Sequence, residues 1–287
     1  MRLLSWNIQW GRGLDGRVDL ARITDTIRAL GDFDLICLQE VACNFPGLPG
    51  SAGEDQMALL AAGLPGYTPV YAPATDLPVG TSGRGGRKLF GNALFSRLPV
   101  GQVFRHLLPW PADPAVPSMQ RVLLEAVVTA PWGPVRVMTT HLEYYSPVVR
   151  HAQIEAIRAL HAQACAHARA PRRGEGEEGG SFEVLPRPAS ALLCGDMNFP
   201  ADAPERMQLL APFDDGSLAW RDSWEVLNPG QIHAPTVGIH PVDFVDRPAC
   251  FDFIFLTEDL APRLVVHGVD TETTASDHQS VWVGLVG

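Results

Sequence analysis

Short apolar runs alternate with amphipathic segments along most of the chain. Residues 3–8 form an apolar run with a polar tip, and residues 17–30 place apolar side chains at helical spacing. This order predicts a strand followed by an amphipathic helix. It returns at residues 34–40 and at about 55–62, with a Gly- and Pro-rich loop between the two elements. The pattern therefore predicts a layered α/β protein.

The same pattern predicts further strands and one long helix. A turn at residues 131–134 separates two apolar runs and predicts a hairpin between them. An alanine-rich helix is predicted at residues 148–168. The remaining predicted strands cover residues 90–96, 121–129, 135–142, 191–196, 251–256 and 280–285.

Residues 171–188 break the pattern, because they are mostly Gly, Glu, Arg and Pro with little apolar surface to bury. Such a composition predicts a mobile surface loop, and a boundary between two domains is the alternative. The strand-then-acid pattern resumes at residues 191–196, and candidate site residues lie on both sides of the segment. We therefore predict a single domain over residues 1–287.

Composition and charge narrow the class of protein. The 287 residues are 46% hydrophobic and 19% charged, as in an ordinary globular protein with a sizeable core. The net charge of -10 gives no broad positive field for a polyanion, which disfavours tight nonspecific nucleic-acid binding. A nuclease with a metal ion and a local basic rim stays compatible with this charge.

No membrane span or signal peptide is visible, so a cytoplasmic location is the expectation. The five cysteines include no C-x-x-C pair or zinc-type spacing. Buried free thiols are therefore expected, with a disulfide between two of them as the alternative.

Polar residues with hard oxygen or imidazole donors follow several predicted strands. Because successive strand ends can meet at one rim of a layered α/β protein, we expect these side chains to form one site. Carboxylate and amide oxygens suit Mg²⁺, or Mn²⁺, and Mg²⁺ also binds substrate phosphate. The set indicates phosphoryl chemistry and comprises Asn7, Glu40, His141, Asp196, Asn198, Asp277 and His278.

Seven short motifs, in order along nearly the whole chain, resemble the endonuclease/exonuclease/phosphatase superfamily, which includes DNase I. They lie at residues 5–8, 38–40, 91–97, 140–142, 195–199, 251–255 and 276–278. One tripeptide alone would be a weak signal, but seven in order are specific. The resemblance implies a four-layer α/β sandwich with two central, mostly antiparallel β-sheets flanked by helices. It also implies metal-dependent hydrolysis of phosphate esters.

The resemblance further implies a role for each matched residue. Glu40 resembles the principal metal ligand, and Asn7 and Asp277 resemble residues that complete the metal environment. Asp196 and Asn198 resemble the pair that orients the attacking water and contacts the phosphate.

The histidines have implied roles as well. His278 resembles the general base or phosphate-stabilising imidazole, which Asp252 orients. His141 resembles a second histidine that stabilises charge or protonates the leaving group. In this scheme an activated water attacks the phosphorus in line.

Each candidate also has a structural interpretation. Asn7 and Asn198 could be turn residues, and Glu40 and Asp196 could cap helices. A carboxylate such as Asp252 could serve an internal hydrogen bond. The joint occurrence of all these residues in one ordered set favours function.

Six more residues are candidates for substrate binding. The segment at residues 80–88 fails the phosphate-loop pattern, so a nucleotide-binding loop is disfavoured there. A basic rim beside the site is the hypothesis for its residues Arg84, Arg87 and Lys88. Arg97 and Arg121 could contact phosphate or pair with acids, and Tyr144 could line a groove.

The leading prediction is a phosphodiesterase with a small-molecule or lipid-headgroup substrate. A nuclease acting on DNA or RNA is the alternative among enzymes, and an inactive binding module of the same fold is the alternative outside them. Abasic-site endonucleases usually carry an acidic residue where this chain has Gln9, so abasic-site repair is disfavoured. Nothing in the sequence indicates an obligate protein partner.

Overall fold

The computed structural model describes residues 1–80, 86–171 and 179–287. Within these ranges the chain forms twelve strands. They are β1 (Arg2–Asn7), β2 (Leu35–Cys43), β3 (Thr68–Pro78), β4 (Arg87–Ser96), β5 (Val100–Leu107), β6 (Val122–Ala130), β7 (Gly133–His141), β8 (Ala191–Asp196), β9 (Trp220–Asp222), β10 (Asp252–Thr257), β11 (Leu264–Val269) and β12 (Val281–Leu285).

The strands build two six-stranded sheets. The first has the order β11-β12-β1-β2-β4-β3, and the second has the order β5-β6-β7-β8-β10-β9. The β1–β2 pair in the first sheet and the β7–β8 pair in the second are parallel, and the other neighbours are antiparallel. The predicted mixture of mostly antiparallel strands is confirmed.

Helices cover the outer faces of both sheets. Ile23 and Ile27 of the first helix pack with Leu4 of β1, whereas Ile154 and Ile157 of the third pack on the second sheet. A separate core cluster joins the two inner faces, so the order is helices, sheet, sheet, helices. The helices are α1 (Leu20–Leu30), α2 (Gln56–Gly63), α3 (Pro147–Arg169), α4 (Pro204–Leu210) and α5 (Ser223–Leu227).

Side-chain caps fix where α1, α2 and α3 begin. The carboxylate of Asp19 accepts a hydrogen bond from the backbone N–H of Arg22 at the start of α1. Asp55 at α2 and Ser146 at α3 accept the equivalent bonds. Each cap satisfies a backbone donor that a helix start leaves unpaired. The helix predicted from residue 17 therefore begins three residues later.

The four strands that the hydrophobic pattern did not predict are the four sheet edges, β3, β5, β9 and β11. Edge strands bury fewer side chains, so their apolar signal is weak. β3 also contains three prolines, which a sheet tolerates only at an edge or a bulge. The interior strands were all predicted.

The inward-facing positions change from apolar to polar along each central strand. The apolar ends form the core between the sheets, and Gln39 Nε2 donates across it to Thr139 Oγ1 at 2.9 Å. The far ends carry the candidate site residues. The series are Leu3, Ser5 and Asn7 in β1; Leu35, Cys37 and Gln39 in β2; Val137, Thr139 and His141 in β7; Leu192, Cys194 and Asp196 in β8; and Leu256, Ile254 and Asp252 in β10.

Other predictions from the sequence concern loops, thiols and membranes. All five cysteines are free and buried, which confirms that expectation. The described parts of the predicted loop at residues 171–188 contain no helix or strand, and residues 172–178 lie outside the described ranges. Among the described helices, none has the length and apolar character needed to cross a bilayer.

Gly195 of β8 is required by the close approach of β7. A Cβ atom at this position would lie 1.9 Å from the carbonyl oxygen of Thr140. We expect Gly195→Ala to destabilise the protein by roughly 2–4 kcal/mol, because the clash is with backbone that cannot rotate away. Urea unfolding measures this change.

Gly133→Ala is the matched control, since Gly133 also has a positive φ but a Cβ there meets nothing within 4 Å. Its cost should be limited to the backbone strain of roughly 1–2 kcal/mol. Equal losses of unfolding free energy in the two variants would show that the close approach of β7 does not exclude a larger side chain at residue 195.

Candidate active site

The strand register places three candidate residues side by side in the second sheet. His141 pairs with Asp196 across the parallel β7–β8 ladder, and Asp252 pairs with Asp196 across the antiparallel β8–β10 ladder. All three side chains are buried and lie on the inner face, opposite Asn7 of the first sheet. The site therefore lies between the two sheets, at the polar ends of their central strands.

Glu40 reaches the site because β2 is bulged. The β2–β4 register gains one residue of β2 between Leu38 and Val41, and Glu40 has a φ of 60°. Bulges turn a side chain away from the regular alternation, and a non-glycine residue in this region stores backbone strain. The bulge explains how a strand residue can place its carboxylate next to Asn7.

Asn7 links the two sheets through its side-chain amide. Its Nδ2 donates to Glu40 Oε1 at 3.1 Å and to Asp196 Oδ2 at 3.0 Å. Its Oδ1 accepts from the backbone N–H of Gln9 at 3.1 Å. In this arrangement the amide nitrogen faces the carboxylates, so Asn7 holds two acids that would otherwise repel each other.

Asp196 is the residue on which the other site groups converge. Its Oδ2 lies 3.5 Å from His141 Nε2 and 3.5 Å from His278 Nε2. Its Oδ1 accepts from the backbone N–H of Asn198 at 2.9 Å, and Asn198 Nδ2 donates to the Leu142 carbonyl at 2.8 Å. Asn198 adopts a φ of 53°, so the turn after β8 is strained as well as hydrogen-bonded.

His278 is oriented by a buried chain of hydrogen bonds. Its Nδ1 lies 2.8 Å from Asp252 Oδ2, which also accepts from the Thr236 hydroxyl at 2.7 Å. That hydroxyl accepts two backbone N–H groups, from Phe251 at 3.0 Å and from Asp252 at 3.1 Å. The single hydroxyl proton of Thr236 is therefore directed to Asp252. The chain fixes the ring so that Nε2 faces Asp196.

Burial and mutual repulsion raise the pKa values of the acids. Burial, reinforced by the Asp277 carboxylate, raises the pKa of Glu40 to about 7. The pKa of Asp277 is also raised, mainly by burial. For Asp196, burial raises the pKa to about 6, although the His278 charge opposes this shift.

The two histidines are shifted in opposite directions. Burial lowers the pKa of His278, but the carboxylates of Asp252 and Asp196 outweigh it and hold that pKa well above its ordinary value. For His141, burial and the Arg121 charge hold the pKa well below its ordinary value. At neutral pH the site thus combines an imidazolium at His278 with a neutral imidazole at His141.

Two sets of donors in the described residues could hold a cation. Asp196, Asp252 and His278 bring ligand atoms within 4.8 Å of one another. However, Asp252 Oδ2 and His278 Nδ1 are occupied by their mutual hydrogen bond, and a protonated imidazole does not ligate. The second set is Glu40 and Asp277, since the Asp277 carboxylate raises the cost of ionising Glu40. A hard dication such as Mg²⁺ or Mn²⁺ fits this second set.

The predicted substrate-binding residues are dispersed. Arg121 is buried beside His141, and Tyr144 contacts the site through Phe244, whose ring stacks on His278 at 5.9 Å. Lys88 lies over the Phe45 ring at 5.0 Å.

Two other basic candidates, Arg87 and Arg97, are not brought to the site. Arg87 pairs with Asp76, and Arg84 lies outside the described residues. Arg97 pairs with Asp32, near the opposite end of β2 from Glu40. It follows Ser96, whose β2 partner is Leu35, so the antiparallel register separates it from the bulge.

Three residues join the site without having been predicted. Gln9 Nε2 donates to Asp277 Oδ2 at 2.5 Å, which an acidic residue at this position could not do. Thr236 and Phe244 come from an irregular segment that has no periodic signal. Gln9 could have been found as the departure from the abasic-site pattern, whereas the contacts of the other two depend on the fold.

Comparisons with known proteins identify the family of this chain. The sequence model described as the Endonuclease/Exonuclease/phosphatase family matches residues 4–278. The chain therefore belongs to the Endonuclease/Exonuclease/phosphatase family, whose members hydrolyse phosphate esters and generally depend on divalent metals. The motif resemblance is confirmed. A search of curated proteins finds no match.

Several solved structures share the fold. An endonuclease/exonuclease/phosphatase from Beutenbergia cavernae is 26% identical with a TM-score of 0.67, covering 99% of this chain and 70% of that one. A mannosyl-6-phosphatase from Bacteroides thetaiotaomicron is 17% identical with a TM-score of 0.65, covering 100% of both chains. Truncated TDP2 from Caenorhabditis elegans is 16% identical with a TM-score of 0.63, covering 98% and 95%.

The raised pKa of Glu40 predicts a stability cost that depends on pH. In the absence of a cation, the unfolded chain ionises Glu40 near pH 4.5 and the folded protein only near 7. The wild type should therefore lose stability relative to Glu40→Gln as pH rises through this window. The difference should reach roughly 3 kcal/mol at pH 8.

Denaturant unfolding in a chelator, from pH 4 to 8, measures this difference. Glu258→Gln is the control, because the exposed Glu258 carboxylate pairs with Arg221, which stays charged over this range, so its effect should change far less with pH. A constant difference between the wild type and Glu40→Gln would contradict the cost assigned to the buried carboxylate.

Proposed function

We propose that this protein is a metal-dependent phosphodiesterase that uses an activated water in in-line attack on the phosphorus. The observation that carries the proposal is the position of Asp196. Its Oδ2 lies within 3.5 Å of both His Nε2 atoms and 3.0 Å from Asn7 Nδ2. One carboxylate is thus surrounded by groups that can hold a water and a phosphoryl oxygen together.

Asp196 and Asn198 orient the attacking water in this proposal. A carboxylate with a pKa of about 6 is ionised at neutral pH and can still accept a proton from water. The backbone N–H of Asn198 holds the other carboxylate oxygen at 2.9 Å, which fixes the direction of the accepting atom. Such fixed geometry contributes to rate because the reacting groups need not reorganise.

The histidines stabilise the charge that develops on the phosphoryl group. His278 carries a proton at neutral pH and is held by Asp252, so its Nε2–H can bond to a phosphoryl oxygen. His141 is neutral, so it can donate a hydrogen bond but has no additional proton to give. Of its two predicted roles, this protonation state supports stabilisation of charge rather than protonation of the leaving group.

Glu40 and Asp277 would hold the divalent cation, with Asn7 and Gln9 as hydrogen-bond donors that position the two carboxylates. A cation bound there would neutralise negative charge on the phosphate and on the departing oxygen. The carboxylate oxygens suit Mg²⁺ or Mn²⁺ rather than a thiol-seeking metal.

The alternatives differ in substrate or in metal binding. The family likeness supports an enzyme over an inactive module. The presence of every main candidate site residue in this chain supports the same choice. The net charge of -10 supports a small or lipid-derived ester over a nucleic acid. An assay with Mg²⁺ on DNA, RNA, sphingomyelin, inositol phosphates and p-nitrophenyl mono- and diesters compares these classes directly.

Asp196→Asn and His278→Asn should each lower kcat on the best substrate by roughly 100- to 10,000-fold, with little change in folding. His106→Asn is the matched control, since His106 also contacts a buried carboxylate, Glu125, at 3.0 Å but lies on edge strand β5. Circular dichroism verifies that the variants fold. Full activity in either site variant would refute the mechanism, and no Mg²⁺ binding by calorimetry even with a phosphate analogue would favour the inactive module.

A further inference from the structure

We propose that the groove beside Glu40 and His141 binds an apolar aryl or alkyl substituent of the phosphate ester. This inference rests on the proposed function and specifies its substrate class. It assigns the phosphate to the site residues and Arg121, and the apolar substituent to a surface that the hydrolytic mechanism itself does not use.

The groove opens directly from the site. It has a volume of about 410 Å³, and Glu40, His141 and Arg121 lie on its lining. A volume of this size accommodates a small organic group. The rest of the lining is largely apolar and includes Trp10, Phe45, Leu48, Phe90 and Met119.

The apolar wall is held in place by specific contacts. Trp10 has a φ of 44°, and its indole Nε1 donates to the Pro49 carbonyl at 3.0 Å. Its backbone carbonyl accepts from Gln56 Nε2 at 2.8 Å. Phe45 packs edge-on against Phe90 at 6.4 Å. The wall is therefore formed before a ligand arrives, at the cost of strain that is typical of functional sites.

Arg121 provides a second, independent indication of the ligand. Its side chain is only 8% exposed, and in the described part of the chain its guanidinium makes no hydrogen bond. Its Nε lies 3.5 Å from Glu143 Oε2, which is an ion pair without a hydrogen bond. A buried cation with unused donors favours an anionic partner such as a phosphate oxygen.

A hydroxyl-rich substituent fits this groove poorly. Thr75 supplies an uncharged hydroxyl to the lining, and the Trp10 indole nitrogen is already bound to Pro49. A sugar in the groove would lose hydrogen bonds with water and find few replacements. An aryl or alkyl group loses none and gains contact with the aromatic wall.

The test uses phosphonates, which are not hydrolysed, so that binding is measured apart from turnover. Calorimetry with Mg²⁺ compares methyl-, butyl-, octyl-, phenyl- and 2,3-dihydroxypropylphosphonate. We expect the affinity of the wild type to rise at least about tenfold from methyl to butyl, because each buried methylene strengthens binding. The dihydroxypropyl compound should bind no better than methylphosphonate.

Two variants separate the apolar substituent from the phosphate. Leu48→Asn should remove most of the gain with chain length, whereas Leu107→Asn, at a leucine 65% exposed on β5, should retain it. Arg121→Gln should weaken all five compounds to a similar degree. Circular dichroism monitors folding, because Arg121 is buried.

Equal affinity of the wild type for methyl- and octylphosphonate would overturn the inference, as would a preference for the dihydroxypropyl compound. A gain with chain length that Leu48→Asn does not reduce would also overturn it. Chain-length dependence without hydrolysis of any ester would leave the groove assignment intact and refute the proposed function instead. The octyl and phenyl compounds distinguish an alkyl from an aryl substituent.

Discussion

The side-chain amide of Asn7 resolves a conflict that the fold creates. Two buried carboxylates, Glu40 from the first sheet and Asp196 from the second, meet between the sheets and would repel each other. The Asn7 Nδ2 donates to both, at 3.1 and 3.0 Å. An amide adds no charge, so both acids keep elevated pKa values of about 7 and about 6. A divalent cation would offset the electrostatic repulsion that remains between the two carboxylates.

The same sheets that build the core also build the site. Their inner faces are apolar at one end, joined by Gln39 and Thr139 in the middle, and charged at the other end. Among the residues that the structure describes, five non-glycine residues have a positive φ, and four of them lie in the site or beside the groove: Gln9, Trp10, Glu40 and Asn198. Strain is thus concentrated where side chains must leave the regular alternation, while the packed strands behind supply the stability that offsets it.

Charge is distributed unevenly around the site. Asp252, Asp277 and Asp196 surround His278 and favour its proton, whereas burial, together with the charge of Arg121 on the groove side, keeps His141 neutral. One face of the site is therefore suited to proton transfer and phosphoryl charge. The opposite face, with Arg121 at its boundary, leads into apolar surface.

The sequence by itself determined the central strands and the family, and it named most of the residues that meet at the candidate site, because buried strands and motif residues leave periodic or ordered signals. Local spacing can show that Asp196 ends a strand, since the signal lies within a few residues. It could not show the four edge strands, the Glu40 bulge, Thr236 behind Asp252, or the displacement of Arg97 to the far end of β2. Those features depend on register and on contacts between residues distant in sequence, which only the tertiary structure decided.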